Sequence, residues 1–262
     1  MSNDKSAYLK AMGIDVWLER SSLPEIDNIS PSIAVKERGI REHPHNNSSF
    51  SKITDTSEKN SEVEILVNKA DIETVVEELD YNGLVDIVSS CQKCALSESR
   101  NKTIFSTGKQ SATLMVIGDT ANQEDETLSD LFTGKAGELL TAMLKAIGFR
   151  RNDVYITNMV KCHLPQNKEL LSEYMESCEA YLLRQINLLQ PKVVLVLGSI
   201  AAQSLLKNKS SMTRLRGQEH YLENINIPIV TSFHPTYLLA SPNEKRKAWQ
   251  DLKLVMKLLN SN

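Results

Sequence analysis

VIGDTANQEDETLSDLFTGKAG, residues 116–137, begins as an apolar strand, breaks into a polar and acidic loop, and resumes at two glycines that open a helix. A strand that feeds a helix through such a loop is the unit from which parallel α/β sheets are built. A loop at the carboxyl end of a parallel strand is also where such folds collect ligands and chemistry.

The same rhythm continues on both sides of this stretch. TLMVIG (113–118) is a short apolar strand, and AGELLTAMLKAIG (136–148) is an amphipathic helix closed by Gly148. DVYIT (153–157) is a second strand, residues 169–190 form a helix stopped before Pro191, and KVVLVLG (192–198) is a buried strand. A helix from Ser199 to about Leu206 follows; IPIVTSFHP is a last strand breaking into a loop, and 243–260 form a terminal helix. The pattern predicts an α/β fold, a parallel sheet with helices on both faces. Its loops at 118–134, 158–168, 198–199 and 232–239 should gather at one sheet edge.

Upstream the chain changes character. Residues 1–24 predict a short helical docking segment: Tyr8, Leu9 and Met12 stand at helical spacing, Gly13 stops the helix, and Ile14, Trp17 and Leu18 precede Pro24. Residues 25–68 are polar and aperiodic, the composition of a disordered linker. Helices at 70–80 and 83–92 then open a domain spanning 69–262. Charge follows the same division: residues 1–90 carry 9 Lys+Arg against 17 Asp+Glu, whereas 91–262 carry 21 against 16. An acidic front on a mildly basic domain is compatible with a nucleic-acid binder carrying an extension. No apolar run approaches the ~20 residues of a membrane span, and MSNDKSAYLK lacks the build of a signal peptide, so the expected location is cytoplasmic.

Four cysteines are present, Cys91 and Cys94 in CQKCAL, Cys162 in NMVKCHLP and Cys178 in YMESCEAYL. A close pair with two distant single thiols can close a four-sulfur site for zinc or for an iron–sulfur cluster, and spacing does not choose between them. The plainer alternative makes Cys162 and Cys178 small buried hydrophobes.

CQKCAL, GDTANQED…LFTGKAGELL, VYITNMVKCHLPQNK, ESCEAYLLRQINLLQPKVVLVLG, TRLRG and SFHPTYLL together resemble, in order, the blocks of the family 4 uracil-DNA glycosylases, over roughly residues 88–258. The resemblance implies a three-layer α/β/α fold around a four-stranded parallel sheet. It implies a [4Fe–4S] cluster on Cys91, Cys94, Cys162 and Cys178, and uracil-containing DNA as substrate. Phe132 corresponds to a phenylalanine that stacks on the flipped base, Asn158 to an asparagine that reads it, and His234 to a histidine that stabilises the departing anion. Without the resemblance, Phe132 could be a core plug and Asn158 a cap of a strand-end turn. His163, outside the catalytic motif, reads as ordinary surface.

The first loop departs from the family pattern. Where the family has Gly-Glu-Ala/Gly-Pro-Gly, this chain has Gly118-Asp119-Thr120-Ala121-Asn122. Gly118, Gly134 and Gly137 match, and Asp119 replaces the glutamate as catalytic carboxylate. Asp125 is a second candidate for placing water. Lost glycines imply strain if the loop needs positive φ, which β-branched Thr120 tolerates poorly. For DNA contact the candidates are Arg214 and Arg216 in TRLRG, the helix start Gly134-Lys135-Ala136-Gly137, and Tyr237 with Leu238 as a wedge. The arginines could equally belong to a solvated hairpin, and Leu238 could pack against the terminal helix.

The segment YLKAMGIDVWLERSSLP also resembles the amino terminus of the psi subunit of bacterial DNA polymerase III, which binds the chi subunit. This implies partner contacts through Leu9, Ile14 and Trp17. It leaves a rival expectation, a non-catalytic adaptor built on a glycosylase fold.

Overall fold

A computed structural model describes residues 75–261 of the chain, except 167, 168, 171, 223 and 224. The segment 1–24 with Leu9, Ile14 and Trp17, and the linker 25–68, lie outside the described residues. Of the helix expected at 70–80, residues 75–78 are helical and 70–74 lie outside the description.

The described elements run α1 (Tyr81–Ser89), β1 (Thr107–Gly108), β2 (Leu114–Gly118), α2 (Gln123–Leu128), α3 (Gly134–Ala146) and β3 (Tyr155–Asn158). They continue with α4 (Ser172–Leu189), β4 (Val193–Leu197), α5 (Ser199–Leu205), α6 (Met212–Leu215), β5 (Glu219–Leu222), β6 (Ile225–Ser232), α7 (Pro235–Ala240) and α8 (Lys245–Ser261).

The sheet corrects the four-stranded expectation. It has six strands in the order β1-β3-β2-β4-β6-β5. The interior pairs β3·β2, β2·β4 and β4·β6 are parallel, while β1 and β5 add antiparallel edges. The edges were illegible for a physical reason. β1 has two residues, and Glu219–Leu222 alternates exposed with half-buried positions rather than forming an apolar run. Every residue of β2, β3 and β4 is buried, so both faces of the parallel interior are covered. α8 packs on β6 and β4, and α5 packs on β4.

Register positions the functional loops. Gly118 pairs with Asn158 across β2 and β3, and Leu197 pairs with Ser232 across β4 and β6. The four parallel strands therefore end at one edge, where the sequence rhythm placed their loops. A smaller cluster of Val76, Leu84, Val88 and Tyr181 joins α1 to α4, and Cys91 packs against it.

Candidate active site

Phe132, Asn158 and His234 line one cavity of about 220 Å³, with Asp125, Thr133, Leu164 and Thr236 among its other walls. That volume falls below the ~300–1,000 Å³ of drug-sized sites and suits a single heterocycle. Phe132 and His234 are stacked, with ring centroids 5.3 Å apart and planes at 26°. Asn158 is buried at the end of β3, and its Oδ1 has no hydrogen-bond partner. A buried acceptor without a donor is costly unless a ligand supplies one. Gly118 makes the arrangement possible. A Cβ there would stand 2.4 Å from Asn158 Oδ1 and 2.5 Å from Phe132 Cζ.

His234 is the N-cap of α7, and Pro235 at the first helical position fixes the turn. The Thr236 N–H donates to His234 Nδ1 at 3.3 Å, which leaves the proton of a neutral ring on Nε2. Burial pushes the imidazole pKa down to about 4, against the opposing pull of the Asp125 carboxylate. The ring is therefore neutral at physiological pH and donates through Nε2–H.

The first loop is not strained at Thr120. No residue from Asp119 to Asn122 has positive φ. The loop instead continues the parallel pairing beyond the strands: Met159 N–H donates to Gly118 O, Val160 N–H to Asp119 O and Leu164 N–H to Ala121 O. The Thr120 hydroxyl donates to Cys162 O at 2.9 Å, a bond glycine could not make. Asp119 is half-buried beside the cavity and is not one of its lining residues. Its Oδ1 accepts the Ala201 N–H at 2.7 Å. Burial raises its pKa to about 6, with that hydrogen bond opposing. Asp125 accepts three hydrogen bonds: Oδ1 from the Thr133 N–H and hydroxyl, and Oδ2 from the Asn122 N–H. Oδ2 keeps a second acceptor position, and Asp125 is itself one of the residues lining the cavity.

Several expectations for DNA contact change. Arg216 turns inward, pairing with buried Asp251 at 2.8 Å and donating to Lys247 O. Arg214 is exposed on α6, a short helix where a hairpin was the alternative. Leu238 is buried at 1% exposure and cannot serve as a wedge, whereas Tyr237 and Leu239 are exposed at 47% and 40%. The reason is helical: α7 presents alternate sides of its turn, and Leu238 faces the core. Gly134, with φ 62, and Lys135 are exposed at the start of α3. Thr133 gives α3 no side-chain cap. Gly137 is buried, and a Cβ there would lie 1.5 Å from Phe132 O. Gly137 is thus packed closely under the Phe132 carbonyl, whereas Gly134 and Lys135 are the exposed part of this helix start. His163 is also buried, not surface; its Nδ1 lies 3.1 Å from Glu126 Oε1, close but poorly aligned for a hydrogen bond.

The four cysteines are unpaired thiols, Cys162 and Cys178 buried and Cys91 and Cys94 half-buried. Among the described residues no three His, Cys, Asp or Glu side chains stand as close as one bound ion requires. The thiols nonetheless share one neighbourhood. Burial raises Cys178 to about 11, with Lys161 opposing and the nearby Cys162 and Cys91 adding to the rise. Burial also raises Cys162, with Arg100 opposing; its guanidinium donates to Cys162 Sγ at 3.0 Å. Beside them Lys161 is fully buried and donates to Thr157 Oγ1, Asn158 O and Gln185 Oε1. Desolvation brings its pKa to about 7.

The hydrogen bonds from Thr133 to Asp125, Lys161 as a buried donor and Arg151 beside Phe132 were not identified from sequence. Only the first left a signal: Asn122 and Asp125, three apart before a helix, form a reciprocal capping box.

The uracil DNA glycosylase superfamily model matches residues 105–253, more than half of the chain. The type-4 uracil-DNA glycosylase of Archaeoglobus fulgidus is 31% identical over 189 residues, covering 70% of this chain and 94% of the relative. The type-4 enzyme of Pyrobaculum aerophilum is 29% identical over 67% of this chain and 93% of its own length. That of Sulfurisphaera tokodaii is 33% identical over 65% of this chain and 81% of its own. No described helix is long and apolar enough to cross a membrane. With its site loops gathered at the carboxyl edge of a parallel interior, the chain belongs to the uracil-DNA glycosylase superfamily.

Proposed function

We propose that this chain excises uracil from DNA by hydrolysing the bond between the base and the sugar. The convergence of Phe132, Asn158 and His234 on one base-sized cavity carries the reading. A uracil turned out of the strand stacks on Phe132. The Asn158 amide accepts its N3–H and donates to O4. Cytosine has no N3–H, so it leaves Asn158 Oδ1 buried and unpaired, a penalty of ~1–3 kcal/mol. As the bond between base and C1′ breaks, negative charge grows on uracil, and the His234 Nε2–H donates to O2. A water oxygen then bonds to C1′ as one of its O–H bonds breaks, its proton passing to Asp119 and on to the solvent that reprotonates the released uracil anion. Asp119, just outside the cavity, is the carboxylate we assign to orienting that water and steadying the sugar cation.

DNA is held by the uncapped start of α3 at Gly134 and Lys135, and by Arg214. Tyr237 and Leu239 are the side chains that fill the vacated stack. Cys91, Cys94, Cys162 and Cys178 are the residues that would hold a [4Fe–4S] cluster. A four-thiol donor set with Arg100 against Cys162 fits a group of net negative charge. When bound, the cluster supplies a cross-link between the loop after α1, the loop after β3, and α4. The docking role of Leu9, Ile14 and Trp17 toward a chi-like replication subunit remains part of the proposal, tested by co-purification with and without Trp17→Ala.

Purified protein incubated with a uracil-containing single strand should yield alkali-labile abasic sites, and His234→Ala should abolish them. Absence of abasic sites at high protein concentration would refute the enzyme and leave the adaptor.

A further inference from the structure

Phe132 is one of four described non-glycine residues with positive φ, at 54°. A side chain with a Cβ resists that conformation, so the surroundings must impose it. Three contacts converge on its backbone. On its carboxyl side, Asp125 Oδ1 accepts the Thr133 N–H at 2.7 Å and the Thr133 hydroxyl at 2.6 Å. On its amino side, Arg151 donates to Leu131 O, and at 3.4 Å to Phe132 O itself. Beneath, the missing side chain of Gly137 leaves room for the Phe132 carbonyl.

These contacts have a purpose that the core does not require. Leu131, the preceding residue, is fully buried and anchors the segment. The clasp at Asp125 acts on the following turn and decides where the Phe132 ring points. With this φ the ring lies against His234 and within contact of Gly118. Relaxing φ to a negative value would swing the ring off both.

We propose that Asp125 is a positioning residue, clasping Thr133 so that Phe132 is held in its left-handed conformation as a fixed plate for the base. The inference rests on the glycosylase reading and deepens it, since it assigns to Asp125 no contact with water or sugar. Asp125 carries charge near His234 as well, so the clasp is best tested without removing that charge.

Thr133→Val keeps the shape and removes the hydroxyl donor, and Thr133→Ser restores it. Gly137→Ala pushes directly on the Phe132 carbonyl. Two readings are taken: inhibition of uracil release by free uracil, and the upfield ring-current shift that Phe132 imposes on the His234 ring protons. In Thr133→Val the inhibition constant should rise about tenfold or more, the upfield shift should shrink, and Thr133→Ser should recover both. If Gly137→Ala fails to fold, Thr133→Val alone decides. An unchanged ring-current shift in Thr133→Val, with unchanged uracil inhibition, overturns the clasp. If the unsubstituted chain releases no uracil, the glycosylase reading fails by itself, and the ring-current shift still judges the clasp.

Discussion

The α-carbon of Gly118 faces the side chain of Asn158 so closely that an added methyl would stand 2.4 Å from Oδ1. The two residues pair across β2 and β3. Gly118→Ala must displace either the amide or the Phe132 ring. Because a shift of ~1 Å can lower rate about a hundredfold, uracil release should fall by about that factor. Single-turnover kinetics with a uracil-containing strand check this.

The pH dependence should be governed by Asp119 rather than His234. His234, pushed down to about 4, is already neutral above that pH. Asp119, raised to about 6, ionises only as pH climbs through that value. kcat/KM should therefore rise through about pH 6, and Asp119→Asn should remove this acid limb along with most activity. Stability carries opposite signs from the two groups. The depressed His234 binds fewer protons folded than unfolded, so its contribution is lost as pH falls from about 6.5 toward 4. The raised Asp119 binds more, so its contribution is lost as pH rises from 3.8 to about 6. Melting of Asp119→Asn and His234→Ala across this range separates them.

Arg214 and Arg216 should behave as different kinds of residue. Arg216→Ala leaves Asp251, 0% exposed, without its ion pair, and breaking such a pair costs ~3–5 kcal/mol. The Ser232 hydroxyl still donates to Asp251, which favours the lower end. Arg214→Ala should leave melting unchanged and weaken DNA binding, lowering the salt slope by about 0.7 on a single strand. Denaturant melts and salt titrations distinguish the two.

Truncations in α7 should divide in the same way. Leu238→Ala opens a cavity in the core and should cost ~2–5 kcal/mol. Leu239→Ala, at an exposed position, should spare stability and reduce uracil release from duplex more than from single strand. The reverse pattern would overturn the assignment of the wedge to Leu239.

Removal of the cysteine-held group has a spectroscopic reading. Protein purified without oxygen should be brown and contain iron and sulfide in equal amounts; Cys178→Ala should lose the colour and melt at lower temperature. Zinc without colour would reassign the site to a single ion.

Much of this protein was legible in its sequence because it depends on local order. Apolar runs bounded by glycine and proline mark β2, β4 and β6, and helical periodicity marks α3, α4 and α8. The convergence of Phe132 after β2, Asn158 at the end of β3 and His234 after β6 follows from parallel topology, which brings strand ends to one edge. What chain order does not carry is the direction in which a side chain finally points. TRLRG reads as two equivalent arginines, yet Asp251, 35 residues after Arg216, takes one of them inward. Leu238 and Leu239 are indistinguishable as letters, and only the packing of α7 on α3 separates core from surface. Thr120 looked like a source of strain until the segment after β3 supplied Cys162 O for its hydroxyl. Periodicity and turn chemistry act between near neighbours and are written along the chain. Desolvation, ion pairing and the space left by a glycine depend on residues brought close only by folding, and there the tertiary structure decides.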